Sequence, residues 1–256
     1  MRDFKPKDLR KLILEMANRA KCPHIGSALS CADIIWTLYS KILKLKPYDT
    51  RDIFILSKAH SAMSLYAMLY TKGLLEEQDF LSYYQNDGVL PAHTDRFSNP
   101  YVEISAGSLG HGLPIALGMA KALKVQNRHV FVLMGDGECQ EGSVWEAAML
   151  APKLELDNLC VIIDYNNLQG YGRARELSAY EPVEDKWQAF GWEVRSVNGH
   201  DAKGLENALS TEHSKPLCVI CSTIKGKGVD FMENELKWHY YIVTDEILEQ
   251  ALKVLK

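Results

Sequence analysis

No stretch of this chain reaches the ~18 consecutive apolar residues that a membrane-crossing helix needs. The first twenty residues, MRDFKPKDLRKLILEMANRA, mix charge and apolarity at helical spacing and lack the unbroken apolar core of a secretory signal. A basic excess is missing too. The formal net charge over 256 residues is −4 and no basic run stands out, so nothing marks a nucleic-acid partner. Cysteine is sparse: six thiols, at positions 22, 31, 139, 160, 218 and 221, make no disulfide framework in a chain this long and suit a reducing cytoplasm. Cys218 and Cys221 do form a C-x-x-C, but inside PLCVICSTI, which reads as a strand. Positions three apart on a strand face opposite ways and cannot easily share a metal. Nucleotide-phosphate signatures are absent as well. Gly135, Gly137 and Gly142 do not have the spacing of a dinucleotide fingerprint, and there is no G-x-x-x-x-G-K-[ST] loop.

What is present is ordinary globular sequence, 47% apolar and 24% charged, with no repeat, low-complexity tract or linker. Leu9, Leu12, Ile13, Met16, Ala17 and Ala20 form one helical stripe. CPHIGSALS then reads as a loop, with Ser30 and Asp33 as a capping box opening a helix through Leu43. DIFIL (52–56) reads as a short buried strand, and SAMSLYAMLYTKG as a helix stopped by Gly73. A glycine-rich loop, ISAGSLGHG, runs into the next helix. From there strands (129–134, 159–164, 192–197, 217–223) alternate with helices (143–153, 184–190, 202–209), and a helix capped by Thr244 ends the chain. The strands are rich in Val, Ile and Leu without clean alternation, as strands covered on both faces should be. This pattern predicts an α/β fold: a doubly wound, mostly parallel sheet flanked by helices, as one domain over residues 1–256.

Two strands end in oxygen-bearing clusters. FVLMGDGECQEGSVW closes its apolar run with Gly135-Asp136-Gly137, and LCVIIDYNNLQGYG closes its own with Asp164-Tyr165-Asn166-Asn167. In an open parallel sheet, ligands bind beyond the carboxyl ends of the strands. The thirty-residue separation is about one strand–helix–strand unit, so Asp136 and Asn166 can lie side by side. One carboxylate and one amide oxygen suit Mg²⁺, which completes its octahedron with phosphate oxygens and water. Gly137 would let a phosphate approach its N–H, and the helix opening at residues 142–145 would favour the anion. Either cluster alone could equally be a helix cap or a turn; together, at this spacing, they point to a shared ligand. KGKGV (225–229) reads as a flexible basic loop with a lesser prospect of ligand contact.

GDG followed some thirty residues later by NN resembles the diphosphate-binding signature of thiamine-diphosphate enzymes, and the surrounding text is similar to the transketolase family. CPHIGSALS, DIFILSKAHSAMSLYAMLY, PAHTD, ISAGSLGHGLPIALGMA and WHY (238–240) carry that resemblance in family order over nearly the whole chain. It implies the thiamine-diphosphate-binding fold, with Asp136, Asn166 and the Leu168 carbonyl holding Mg²⁺ or another small divalent cation such as Ca²⁺ or Mn²⁺. It implies that Gly135 and Gly137 contact the diphosphate, that Gly107, Ser108 and Leu109 line the cofactor cleft, and that Glu141, on the cofactor-binding side, sits near the subunit interface and helps link paired active sites. His60 and His239 would lie near the diphosphate, with His239 also catalytic. His24 and His93 would face the sugar hydroxyls and move protons, a task suited to a side chain that donates from one nitrogen while accepting at the other. His111, where the family often has glutamine, would be adjacent to the cofactor. KAH is less glycine-rich than the family's turn, and no glycine follows His239, so that loop differs.

The resemblance also implies what a further chain must supply. In this family the glutamate that activates the cofactor's aminopyrimidine belongs to a second domain, which is absent here along with the C-terminal domain. The expectation is the N-terminal subunit of a split transketolase, moving a two-carbon ketol unit between sugar phosphates. It would work only with a C-terminal transketolase subunit carrying that glutamate, as an α2β2 heterotetramer. One alternative keeps the cofactor for acyl or ketol transfer onto a modified or nucleotide-linked sugar; another is a non-catalytic scaffold.

Overall fold

The computed structural model describes residues 4–210 and 212–255. Met1–Asp3, Thr211 and Lys256 belong to the expected domain over residues 1–256 but lie outside the described residues.

The first apolar stripe folds as α1 (Pro6–Ala20), with Leu9, Ile13, Met16 and Ala17 buried and a left-handed Lys21 (φ +48°) closing it. Next come α2 (Ile25–Ser30) and α3 (Ala32–Thr37), the latter running into a π-turn over Leu38–Ile42. Here the structure corrects the expectation of a loop capped by Ser30. Ile25, Ala28 and Leu29 are fully buried, and the gain from burying that face outweighs a local cap signal. The Ser30 hydroxyl instead turns inward, 3.0 Å from the Ser27 carbonyl and 2.5 Å from the Asp164 carboxylate.

Along the rest of the chain lie β1 (Ile53–Leu56), α4 (Ala62–Thr71), α5 (Glu77–Leu81), α6 (Gly112–Leu123), β2 (Val130–Gly135), α7 (Gly142–Lys153) and β3 (Leu159–Tyr165). Then follow α8 (Ala174–Leu177), α9 (Val183–Ala189), β4 (Glu193–Asn198), α10 (Ala202–Ser210), β5 (Leu217–Ser222) and α11 (Asp245–Val254). Gly73 stops α4 at φ +66°, and the Thr244 hydroxyl accepts the Ile247 N–H to start α11.

The strands form one five-stranded sheet in the order β1-β2-β3-β5-β4, every pair parallel. Phe131, Leu133, Cys160, Ile162, Leu217 and Val219 pack on the layer holding α1, α3, α4 and α10. Val130, Val132, Met134, Val161, Ile163 and Ile220 pack on the opposite layer of α6, α7 and α9. This is the doubly wound α/β architecture the alternating elements predict. Cys221 joins the first layer and Cys218 the second, as their three-residue offset requires, and all six thiols are free and buried. One strand departs from the expectation of cover on both faces. β4 lies at the sheet edge, and its residues are half-buried or exposed. In register, Gly135 at the end of β2 stands opposite Asp164 near the end of β3, which levels the two polar turns at one end of the sheet.

Candidate active site

Asp136 leaves β2 and caps a single 3-10 turn over Gly137–Gln140, accepting the Gly137 N–H at 2.8 Å. Its other carboxylate oxygen accepts the main-chain N–H of Asn167 from the turn after β3. That one hydrogen bond joins the two sequence clusters. Asn167 bends the second turn with φ +59°, a conformation asparagine tolerates well. Asn166 is buried, with Oδ1 accepting the Leu168 N–H at 3.0 Å and Nδ2 reaching Asp164 at 3.4 Å.

Asp136 is only 3% exposed; among the described residues its hydrogen-bond donors are main-chain N–H groups, and the Lys58 ammonium is paired with Asp164. Burial, then repulsion from Asp164, pushes its carboxyl up to about 6. A buried carboxylate without its own counterion, flanked by the Asn166 amide and the Leu168 carbonyl, is a hard-oxygen donor set that fits Mg²⁺. Among the described residues no three His, Cys, Asp or Glu side chains cluster to hold a metal, so amide, carbonyl and ligand oxygens would complete the coordination.

These turns floor a cavity of about 260 Å³. Four histidines gather at it. The His24 ring centroid lies 5.3 Å from His60, 5.8 Å from His93 and 5.1 Å from His239, with His60 and His239 5.8 Å apart. His24 begins α2 in a left-handed conformation (φ +74°, ψ +16°), rare for a residue other than glycine, and its N–H donates to the His239 carbonyl at 2.9 Å. Burial lowers the imidazoles: His24 to about 4, His239 to about 3, His60 well below its ordinary value and His93 below it. The neighbouring ammonium groups of Lys58 and Lys225 push His24, His60 and His239 the same way. At neutral pH these three rings are uncharged, each with one donor and one acceptor nitrogen.

Further polar contacts support the floor from below. Lys58 and Asp164, both fully buried, form an ion pair; Lys58 also donates to the Ser27 carbonyl at 3.2 Å, and Asp164 accepts from Ser30 and Thr223. Glu138, also buried, takes a hydrogen bond from Ser57 and the N–H groups of Gly110 (3.0 Å) and Gly135 (3.3 Å), tying the glycine-rich loop to the end of β2. Glycine is required at 112, where that loop enters α6, because a Cβ there would stand 2.2 Å from the Ser57 hydroxyl.

Of the residues singled out in the sequence, His24, His60, His93, Gly107, Leu109 and Gly135 line this cavity. So do Asp136, Gly137, Asn166, Leu168 and His239. Ser108, His111 and Glu141 do not. All three are exposed; His111 Nδ1 sits 3.1 Å from the Leu109 carbonyl, and Glu141 packs beside Gly110. The Gly137 N–H is taken by Asp136, and a Cβ at this glycine would meet the Gln169 side chain at 2.7 Å. The start of α7 does not line the cavity, since the 3-10 turn intervenes.

Sequence reasoning missed Lys58, Glu138, Gln169 and Tyr171 at the cavity, and it expected a flexible loop at Lys225. Lys225 is instead fully buried in a packed turn, its Nζ 3.0 Å from the Leu168 carbonyl and 2.7 Å from His239 Nδ1. Lys58 was findable, because it follows β1 as Asp136 follows β2. Gln169 also lines the cavity, and its buried Nε2 has no hydrogen-bond partner among the described residues.

A family model described as the thiamine diphosphate binding domain of transketolase matches residues 5–253. One of the subunits of an apulose-4-phosphate transketolase from Actinobacillus succinogenes is 39% identical over 255 residues, which cover 96% of this chain and 92% of that one. Subunit SqwG of a 6-deoxy-6-sulfo-D-fructose transketolase from Clostridium sp. is 35% identical over 257 residues, covering 97% and 94%. Among solved structures, transketolase from Campylobacter jejuni matches 96% of this chain with a TM-score of 0.89 and 33% identity. Transketolase from Leishmania mexicana matches with a TM-score of 0.88 and 28% identity. The chain spans 41% and 40% of the lengths of those two solved proteins. The chain belongs to the transketolase family, and the part of it present here is the thiamine-diphosphate-binding domain.

Proposed function

We propose that this chain is the thiamine-diphosphate-binding subunit of a two-subunit, Mg²⁺-dependent transketolase that moves a two-carbon ketol unit between sugar phosphates. The observation that carries the reading is the Asn167-to-Asp136 hydrogen bond at the cavity where four histidines cluster: a donor set suited to a cation and a group of imidazoles line one cavity. Bound thiamine diphosphate supplies the nucleophilic carbon and electron sink for C–C cleavage. Asp136, Asn166 and the Leu168 carbonyl would hold the cation that neutralises the diphosphate, and His60 and His239 would donate hydrogen bonds to it. His24 and His93 orient the sugar hydroxyls, and as uncharged imidazoles they can take a proton at one nitrogen while releasing one at the other.

The near-complete coverage of relatives named as transketolase subunits supports a separate partner. That partner is a C-terminal transketolase subunit carrying the pyrimidine-side glutamate, assembled with this chain as an α2β2 heterotetramer. Ser108, His111 and Glu141, exposed beside the cavity, face it. Six free thiols suit a reducing, cytoplasmic compartment. A second reading keeps the site but changes the sugar. The two relatives are named for apulose-4-phosphate and a sulfo-fructose, so a modified sugar is a natural substrate here. Tyr240, at the cavity with its ring 6.1 Å from that of His24, narrows the space where the sugar would lie.

The test is ketol transfer with thiamine diphosphate and Mg²⁺, by the chain alone and with its partner, across ordinary and modified sugar phosphates. Turnover only in the pair is expected, and full turnover by the lone chain refutes the two-subunit reading. His93→Ala in the pair should lower kcat about 100-fold or more, the scale of a lost proton-transfer group. A non-catalytic scaffold would lose nothing.

A further inference from the structure

His239 meets its surroundings through both ring nitrogens. Nδ1 lies 2.7 Å from Lys225 Nζ, while Nε2 faces Gly170 at the cavity, 3.3 Å from where a Cβ on that glycine would stand. Lys225 is 0% exposed, and its ammonium also bonds the Leu168 carbonyl at 3.0 Å. An ammonium has only hydrogens to offer, so the nitrogen it touches must accept. In a neutral imidazole the hydrogen bond at one nitrogen decides where the single proton sits.

The lysine has little freedom to do otherwise. Its stem lies against Gly26, where a Cβ would come within 3.1 Å of Lys225 Cγ. Its carbonyl accepts the Asn234 N–H at 2.9 Å, and the next residue, Gly226, donates to the Gly26 carbonyl at 2.9 Å. On the other side, the Ile224 N–H donates to His200 Nε2 at 2.9 Å; His200 Nδ1 bonds Asp33 at 2.7 Å, and Asp33 is gripped by Arg10. The turn is thus anchored to α1, α2 and α3.

We propose that Lys225 is a positioning residue that fixes His239 in the tautomer with its proton on Nε2, so that His239 meets the ligand as an N–H donor and not as a base. The consequence for catalysis rests on the transketolase reading above; the tautomer itself does not. An N–H donor at this point suits a phosphate or developing oxyanion, whose negative charge a preorganised hydrogen bond stabilises. The contact with Leu168 ties that donor to the turn carrying Asn166.

The experiment uses the full chain labelled with ¹⁵N at its eight histidines. Long-range ¹H–¹⁵N correlation at neutral pH reads each tautomer, and the His239 signals are those lost in His239→Gln. The expected result is a single Nε2–H pattern for His239. Lys225→Met should raise the Nδ1–H population at least tenfold, and Lys225→Arg should keep the original pattern. A wild-type Nδ1–H pattern overturns the proposal, and this needs no variant to fold. So does a His239 pattern unchanged in Lys225→Met. In the pair with its partner, Lys225→Met should weaken thiamine diphosphate binding about tenfold or more, because the N–H donor that meets the diphosphate is lost. Absence of ketol transfer by the wild-type pair would sink the functional reading while leaving the tautomer result standing.

Discussion

Replacing Asp136 by asparagine should push apo stability and cofactor binding in opposite directions. Asparagine keeps the shape and one oxygen acceptor but removes the charge. The folded carboxyl lies at about 6 against an ordinary 3.8, which at about 1.4 kcal/mol per pH unit is about 3 kcal/mol of penalty on the ionised group. The variant sheds that penalty. It loses one acceptor for a main-chain N–H, at a cost of roughly 1–3 kcal/mol. Apo Asp136→Asn should therefore be as stable as the wild type or up to about 2 kcal/mol more stable at pH 7.

The sign with pH is fixed by the same raised value. A folded carboxyl above its unfolded value holds its proton longer, so wild-type stability falls relative to the variant as pH climbs from about 4 to about 6. Above that the difference is flat. Cofactor binding goes the other way. Removing one partner from a buried ion contact costs about 3–5 kcal/mol, or roughly 140- to 4,000-fold in affinity. Urea unfolding between pH 4 and 8 measures the first quantity, and calorimetric titration with thiamine diphosphate and Mg²⁺ on the assembled pair measures the second. An apo variant destabilised by about 3 kcal/mol, or one that binds cofactor as the wild type does, would refute the reasoning.

Three further outcomes follow from the geometry. Lys58→Met should destabilise the chain by about 3–5 kcal/mol in urea, because it strands the fully buried Asp164 carboxylate, and a second change of Asp164 to leucine should recover much of the loss. Gly112→Ala should cost about 1–3 kcal/mol by the same measurement, since its methyl would press on Ser57 where side chain and backbone both lie within 3.0 Å. The lowered imidazole of His24 makes the fold sensitive to acid. The unfolded ring takes a proton near 6.5 while the folded ring waits until about 4, so stability drops as pH falls through that window. His24→Gln should flatten the drop seen by urea unfolding at pH 7, 6 and 5; an unchanged slope would count against the burial of that ring.

The sequence by itself determined the layering and the end of the sheet at which chemistry happens. Apolar runs of strand length, separated by helical stripes, can bury both faces only as a parallel sheet between two helical layers. The polar clusters after β2 and β3 then fall at one edge, because strands joined by right-handed crossovers all end on the same side. Asp136 and Asn166 were legible for that reason, whereas the histidines were legible only through the resemblance to the transketolase family.

Only the tertiary structure decided which long polar side chains turn inward. Lys58 reaches Asp164 across 106 residues and Lys225 reaches Leu168 across 57, so nothing in KGKGV distinguishes a buried ammonium from a solvated one. Likewise, CPHIGSALS carries turn and cap signals, and it is helical because the surrounding core offers Ile25, Ala28 and Leu29 a place to be buried. Local patterns record what a segment can do beside its own neighbours. The fate of a charge or a weak helix is settled by partners that the folded chain brings from far away.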